Sequence, residues 1–194
     1  MKSVIKNTTQ LFLCGALITA LASAAIIKEE NYTATLLVNQ TPKEAFNAII
    51  NPRAWWSQSI EGHTDKLDSV FTYHFSNVHF CKMKLVEVVP DKKIVWLVVD
   101  NYFNFIKDQR EWKGTKISFE IAKKGNKTEI RFTHIGLVPS YECYNICHDA
   151  WGNYINNSLY NLITTGTGTP NAKEGGYNEA LLRQHESQPK EKNE

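Results

Sequence analysis

Two histidines are the side chains best placed to do chemistry. His134 closes a run in which Thr128, Ile130 and Phe132 fall on the same side of an alternating pattern, and His148 lies in a helical stretch beside Tyr144 and Trp151. If that strand face and that helix stripe look at each other, these groups converge on one space. A few polar groups in an aromatic lining is the usual composition of a small-molecule pocket. A histidine there could also act as the general base of a cyclase-like or hydrolytic enzyme, or merely satisfy buried hydrogen bonds. Cys143, Cys147 and His148, with Cys81 or His134 as a fourth ligand, would offer zinc thiolate and imidazole. Their spacing matches no recognised zinc pattern, so no metal is expected. Glu87 and Asp100 are not spaced as an acid/base pair, and no Gly-x-Ser-x-Gly, Walker or dinucleotide loop occurs. No catalytic residue and no cofactor is therefore assigned. Asp100 leads into Asn101-Tyr102-Phe103-Asn104-Phe105, a segment aromatic enough to be a flap over a pocket or a lid on the core.

Positioning these groups requires a long helix and a sheet. Tyr144, Cys147, His148, Trp151, Ile155, Leu159 and Leu162 recur at helical spacing, with Glu142, Asp149, Asn153 and Asn156 turned away. Ser140 is the expected N-cap and Gly166 the expected C-cap. Ahead of it, Tyr32 to Val38 alternates as a first strand. Thr41, Pro42 and Glu44 open a short helix through Ile50 that Pro52 ends, and Trp55 and Trp56 close one end of a core. Period two then takes over: Phe71, Tyr73 and Phe75 share a face, Cys81, Met83 and Leu85 lead the next strand, and Lys92 to Asp100 forms another. Asn101 to Trp112 is irregular. Ile117, Phe119 and Ile121 point inward with Lys116, Ser118 and Glu120 outward, and Lys124-Gly125-Asn126-Lys127 turns the chain back. Connections this short require antiparallel pairing.

The bulk numbers exclude more than they assign. With 194 residues, 42% hydrophobic and 11% aromatic, the chain can bury one substantial core. Lys2 and Lys6 account for the net charge of +2, leaving 20 basic against 20 acidic residues beyond residue 24. Such neutrality argues against nucleic acid as a partner. Residues 1–24 have the layout of a signal peptide, two lysines before an uncharged run and small residues at Ala22-Ser23-Ala24, which implies export to a periplasmic or secreted location. The alternatives are an uncleaved membrane anchor or a cytoplasmic chain; after cleavage no membrane span remains. Residues 170–194 are rich in Asn, Lys, Glu, Gln and Gly and read as a disordered tail with a short helical turn near Ala180-Leu181-Leu182. Removal of the leader leaves Cys81, Cys143 and Cys147, an odd number that makes no disulfide framework, and the last two sit one turn apart.

The order of strand, short helix, antiparallel strands and long helix resembles the helix-grip fold of the START-like (SRPBCC) superfamily, and more closely the activator of Hsp90 ATPase homologue-like family. Val38-Asn39-Gln40-Thr41-Pro42-Lys43-Glu44-Ala45-Phe46, Trp55-Trp56, Val95-Trp96-Leu97-Val98, Gly136-Leu137-Val138-Pro139 and Trp151 with Tyr154 and Leu159 carry the likeness across residues 31–169. The resemblance implies an α+β domain with about six antiparallel strands curved around the C-terminal helix and a cavity between them. The expected function is non-enzymatic binding of an apolar or amphipathic small molecule or lipid in that cavity, lined by Trp56, Phe71, Tyr73, Trp96, Phe132, His134, Tyr144, His148, Trp151 and Ile155. The alternatives are a co-chaperone-like interaction module and the histidine-dependent enzyme. Members with enzymatic activity need features such as an iron–sulfur cluster, and the co-chaperone uses a second N-terminal domain; residues 1–30 supply neither.

Overall fold

A computed structural model describes residues 30–173. The proposed leader, the turn near Ala180 and the tail beyond Lys173 lie outside the described residues. Seven strands, β1 (Tyr32–Val38), β2 (Glu61–Gly62), β3 (Val70–Phe75), β4 (His79–Val89), β5 (Lys93–Phe103), β6 (Lys116–Lys124) and β7 (Lys127–Ile135), form one antiparallel sheet in the order β1-β7-β6-β5-β4-β3-β2. The expected count was about six; β2, two residues long, is the addition. The alternation works as the pleat demands: Thr128, Ile130, Phe132 and His134 are all fully buried, as are Ile117 and Phe119 opposite them. Ser118, expected to face outward, is buried, and Phe75, at the end of its strand, is exposed. Gly125 takes φ 63° as the first loop residue between the paired Lys124 and Lys127, the position at which a type II′ hairpin needs glycine.

Helix α1 (Pro42–Ile49) starts where its signals place it. The Thr41 hydroxyl accepts from the Glu44 backbone N–H while the Glu44 carboxylate accepts from the Thr41 N–H, a complete capping box. A single 3₁₀ turn (Pro52–Ala54) then sets Trp55 and Trp56 into the core.

Strand β5 runs three residues further than expected, because Cys81, Phe80 and His79 continue to pair with Asn101, Tyr102 and Phe103. The irregular segment is 104–115. The closing helix also starts later than expected. Residues 139–143 form turns, Cys143 rather than Ser140 is the N-cap, and α2 covers Tyr144–Asn153. Cys143 offers no capping side chain. The carboxylate of Glu111, from the 104–115 loop, accepts instead from the N–H groups of Glu142 and Cys143, at 2.5 and 3.0 Å. A carboxylate there meets both the unpaired N–H groups and the positive end of the helix dipole. In return the Glu142 carboxylate accepts from the N–H groups of Lys107 and Asp108, so loop and helix brace each other.

A π-helical segment (Tyr154–Leu159) follows α2 before α3 (Tyr160–Thr165), which ends at Gly166 in the left-handed conformation with φ 81°. The wider turn inserts residues into the helical phase. Cys147, Trp151 and Ile155 therefore continue the buried stripe to Leu159 and Ile163, leaving Leu162 half-buried. The chain stays ordered past Pro170: Asn171 bridges Ser57 in parallel, and its N–H and C=O bond to Trp56 and Gln58. These contacts strap the described residues past Pro170 to the segment that carries Trp56. Gly168 lets this strap approach, since a Cβ there would lie 2.3 Å from the Ala54 carbonyl oxygen. Gly168→Ala is expected to cost about 2 kcal/mol through forced displacement of the strap, measured by urea unfolding; a change below about 0.5 kcal/mol would contradict this packing.

Candidate functional site

The space between the concave sheet face and the helix is filled with rings. Trp56 stacks on Tyr73 with centroids 4.3 Å apart and meets Trp151 at 5.2 Å; Trp151 touches Phe132 at 4.9 Å, and Trp96 meets Phe71 and Phe119 edge-on at 5.2 Å. These are ordinary contact distances for packed aromatics. Ile155 is fully buried beneath them.

His134 is built into this core. The Trp151 indole N–H donates to its Nδ1 at 3.0 Å, which fixes the proton on Nε2; that nitrogen donates to Thr115 Oγ1 at 2.9 Å, and the hydroxyl donates on to the Trp112 carbonyl at 2.6 Å. Every proton in the chain has an acceptor. Burial lowers the His134 pKa to about 3. With its one lone pair taken by Trp151 and no exposed surface, this imidazole has nothing to offer a substrate. The Trp112 indole N–H donates to Cys143 Sγ at 3.2 Å. A hydrogen bond with the Cys147 thiol, and then burial, hold Cys143 protonated, and burial also raises Cys81. These thiols pack as small apolar groups. No group of three or more His, Cys, Asp or Glu side chains placed to hold a metal occurs among the described residues.

A second buried chain links core to strap. Trp56 donates to the Tyr73 hydroxyl, Tyr73 bonds the Tyr154 hydroxyl, and Asn171 Nδ2 donates to Tyr154 at 2.8 Å. Burial is the main cause of the raised Tyr73 pKa.

His148 lies elsewhere. Its side chain is 48% exposed, Nδ1 is 3.0 Å from Asp149, and its ring packs edge-on against Tyr32 at 4.8 Å and near Tyr144 at 5.8 Å. It is one residue past Cys147, about 100° round the helix from the buried stripe. The two histidines therefore do not converge: His134 is internal, and His148 faces a groove at the β1 edge. This groove, about 740 Å³ and open to solvent, is lined by Glu30, Asn31, Tyr32, Thr33, Arg131, Thr133, Pro139, Tyr144 and His148. Tyr32 forms its floor, with a phenol held protonated by burial first and by Tyr144 and Asp149 second.

Of the ten residues expected to line one cavity, Trp56, Phe71, Tyr73, Trp96, Phe132, His134, Trp151 and Ile155 lie together in the packed interior, and only Tyr144 and His148 reach the groove. Thr115, Trp112's place beside His134 and the Arg131–Thr133 face were not expected from the sequence. The alternation that buries Phe132 and His134 sends Arg131 and Thr133 outward, and that was the available signal.

The model of the activator of Hsp90 ATPase homolog 1-like protein family matches residues 39–164. Comparison with curated proteins finds no match. Among solved structures, the Aha1 dimer from Colwellia psychrerythraea superposes with a TM-score of 0.58 at 22% identity, covering 72% of this chain and 99% of that one. A protein from Rhizobium leguminosarum gives 0.51 at 13% identity over 70% of this chain and 97% of its own. DynU16, from the dynemicin biosynthetic locus, gives 0.52 at 11% identity over 70% of this chain and 48% of its own. At such identities these structures establish the shared fold alone.

Proposed function

The chain belongs to the activator of Hsp90 ATPase homolog 1-like family, and on that premise we propose that it is a non-enzymatic START-like binding domain taking an apolar or amphipathic small molecule between sheet edge and C-terminal helix. One observation carries this reading: the open space where helix and sheet meet is the groove over Tyr32, Tyr144 and His148, whereas the face they enclose is filled by side chains. Aromatic walls beside a few polar groups suit an amphipathic guest. The engagement of His134 in a closed hydrogen-bond chain supports binding over general-base catalysis.

Native mass spectrometry on protein purified from its own source tests the proposal. A bound mass that leaves on denaturation, and is lost in Tyr144→Ala, is the expected result. A consistently ligand-free mass would contradict it. The same spectrum reports the N-terminus, which begins at Ala25 if the leader directs export.

A second reading, an interaction module of the co-chaperone kind, is favoured by the exposure of Ile146 (59%) on the helix and Phe105 (38%) in the loop that Glu142 ties to that helix. It requires a chain that meets a cytosolic ATPase. Retained Met1, together with stimulation of an Hsp90-type ATPase that Ile146→Asp abolishes, would replace the first reading with this one.

A further inference from the structure

The groove has a polar side that the aromatic floor does not explain. Arg131 and Thr133, on β7, lie opposite Thr35 and Thr33 of β1, on the sheet face away from the core. The guanidinium of Arg131 makes no ion pair or side-chain hydrogen bond among the described residues, although Glu120 sits opposite it on β6. Arginine carries five N–H donors in a planar fork and no acceptor. The Thr33 and Thr133 hydroxyls lie 3.3 Å apart and Thr33 Oγ1 donates to the Asn31 carbonyl at 3.5 Å, so both hydroxyl protons have acceptors within the wall and Arg131 is its unengaged donor group. Through Arg131 this wall presents unengaged donors, in the same groove as rings that suit an apolar body.

We infer that the groove, whose lining comes from both sides of the β1 edge, selects amphiphiles bearing a single acidic group, with a carboxylate held by Arg131 and the hydrocarbon laid over that edge against Tyr32 and Tyr144. The inference rests on the binding function proposed above and adds the class of ligand. A planar carboxylate can meet the guanidinium fork with two parallel bonds, which an alcohol cannot. Glu30 lines the same groove, so a second acidic group on the guest would meet a carboxylate. That argues for a monoacid over a polyanion.

Isothermal titration with octanoate and with octan-1-ol separates headgroup from chain. In the unaltered protein octanoate is expected to bind at least tenfold more tightly than octanol. Arg131→Ala should weaken octanoate at least tenfold and leave octanol within twofold, with an unchanged melting temperature because the side chain is exposed; Arg131→Lys should recover part of the loss. Equal affinity for acid and alcohol, or an Arg131→Ala protein that keeps its octanoate affinity, would overturn the acidic-headgroup inference while leaving small-molecule binding intact. Binding of neither probe would overturn both.

Discussion

Lowering the pH from 7 to 5 is expected to cost the folded domain about 4 kcal/mol, from two histidines that the fold holds neutral. His134 and His79 both have pKa values lowered to about 3, His134 by burial and then by His79, and His79 by burial. The His79 side chain is half-buried as a whole, but its ring packs against Tyr73, Phe103 and Trp112 and its Nε2 is buried without a hydrogen-bond partner, which is the atom that would carry the added proton. In the unfolded chain each imidazole takes up a proton near pH 6.5, whereas the folded one does not until near 3. The unfolded state thus binds more protons throughout that window, and stability falls as the pH drops below 6.5 by up to about 1.4 kcal/mol per pH unit for each histidine. Urea unfolding at pH 7, 6 and 5 measures the slope. His134→Gln should remove close to half of it, and so should His79→Phe. A slope untouched by either substitution would show that the histidines are not the acid-sensitive groups. The alkaline side should also weaken: the buried Tyr73, Cys81 and Cys143 have raised pKa values, so the unfolded chain loses their protons first as the pH climbs through 9 and 10.

The second large effect comes from removing the indole that holds His134. Trp151→Phe is expected to cost about 4 kcal/mol and Trp96→Phe about 2 kcal/mol, although both delete the same atoms from the core. Both side chains are essentially buried, so the loss of packing is comparable. They differ in their N–H groups. That of Trp151 donates to His134 Nδ1, so its loss orphans a buried acceptor, whereas that of Trp96 has no partner and its removal relieves an unsatisfied donor. Leaving a buried polar atom unpaired costs about 1–3 kcal/mol, enough to reverse or erase the difference if the hydrogen bond were absent. Equal costs for the two substitutions, measured by denaturant unfolding, would contradict the assigned network. Trp151→Phe should also flatten the acid slope, since a freed Nδ1 can take a proton with less penalty.

Much of the architecture was legible because it depends on local periodicity. The two-residue alternation from Thr128 to His134 needs no tertiary information to separate inside from outside, and the Thr41–Glu44 box marks its helix within four residues. The closing helix was harder. Its N-terminus is capped by Glu111, more than thirty residues earlier, so no local residue announces Cys143 as its start. Its phase is shifted by the π-helical segment, which exchanges Leu162 for Ile163 on the buried stripe; a strict 3.6-residue count cannot contain that insertion. His148, upstream of that insertion, was placed with His134 because both Cys147 and its neighbour were counted on one stripe. One residue of rotation carries His148 from the core to the groove, and with it the expected single cavity divides into a packed interior and an external cleft. Arg131 and Thr133 drew no functional reading, because nothing in a single sequence says that the edge beside them is hollow.

Titration of ¹⁵N-labelled protein with octanoate, followed by amide and indole resonances, locates the bound molecule directly. Shifts of the Thr33, Thr133, Tyr144 and His148 amides are expected, while the indole N–H signals of Trp55, Trp56 and Trp96 stay in place. Movement of those indoles with silent groove amides would put the ligand inside the aromatic core and contradict the assignment of the groove as the site.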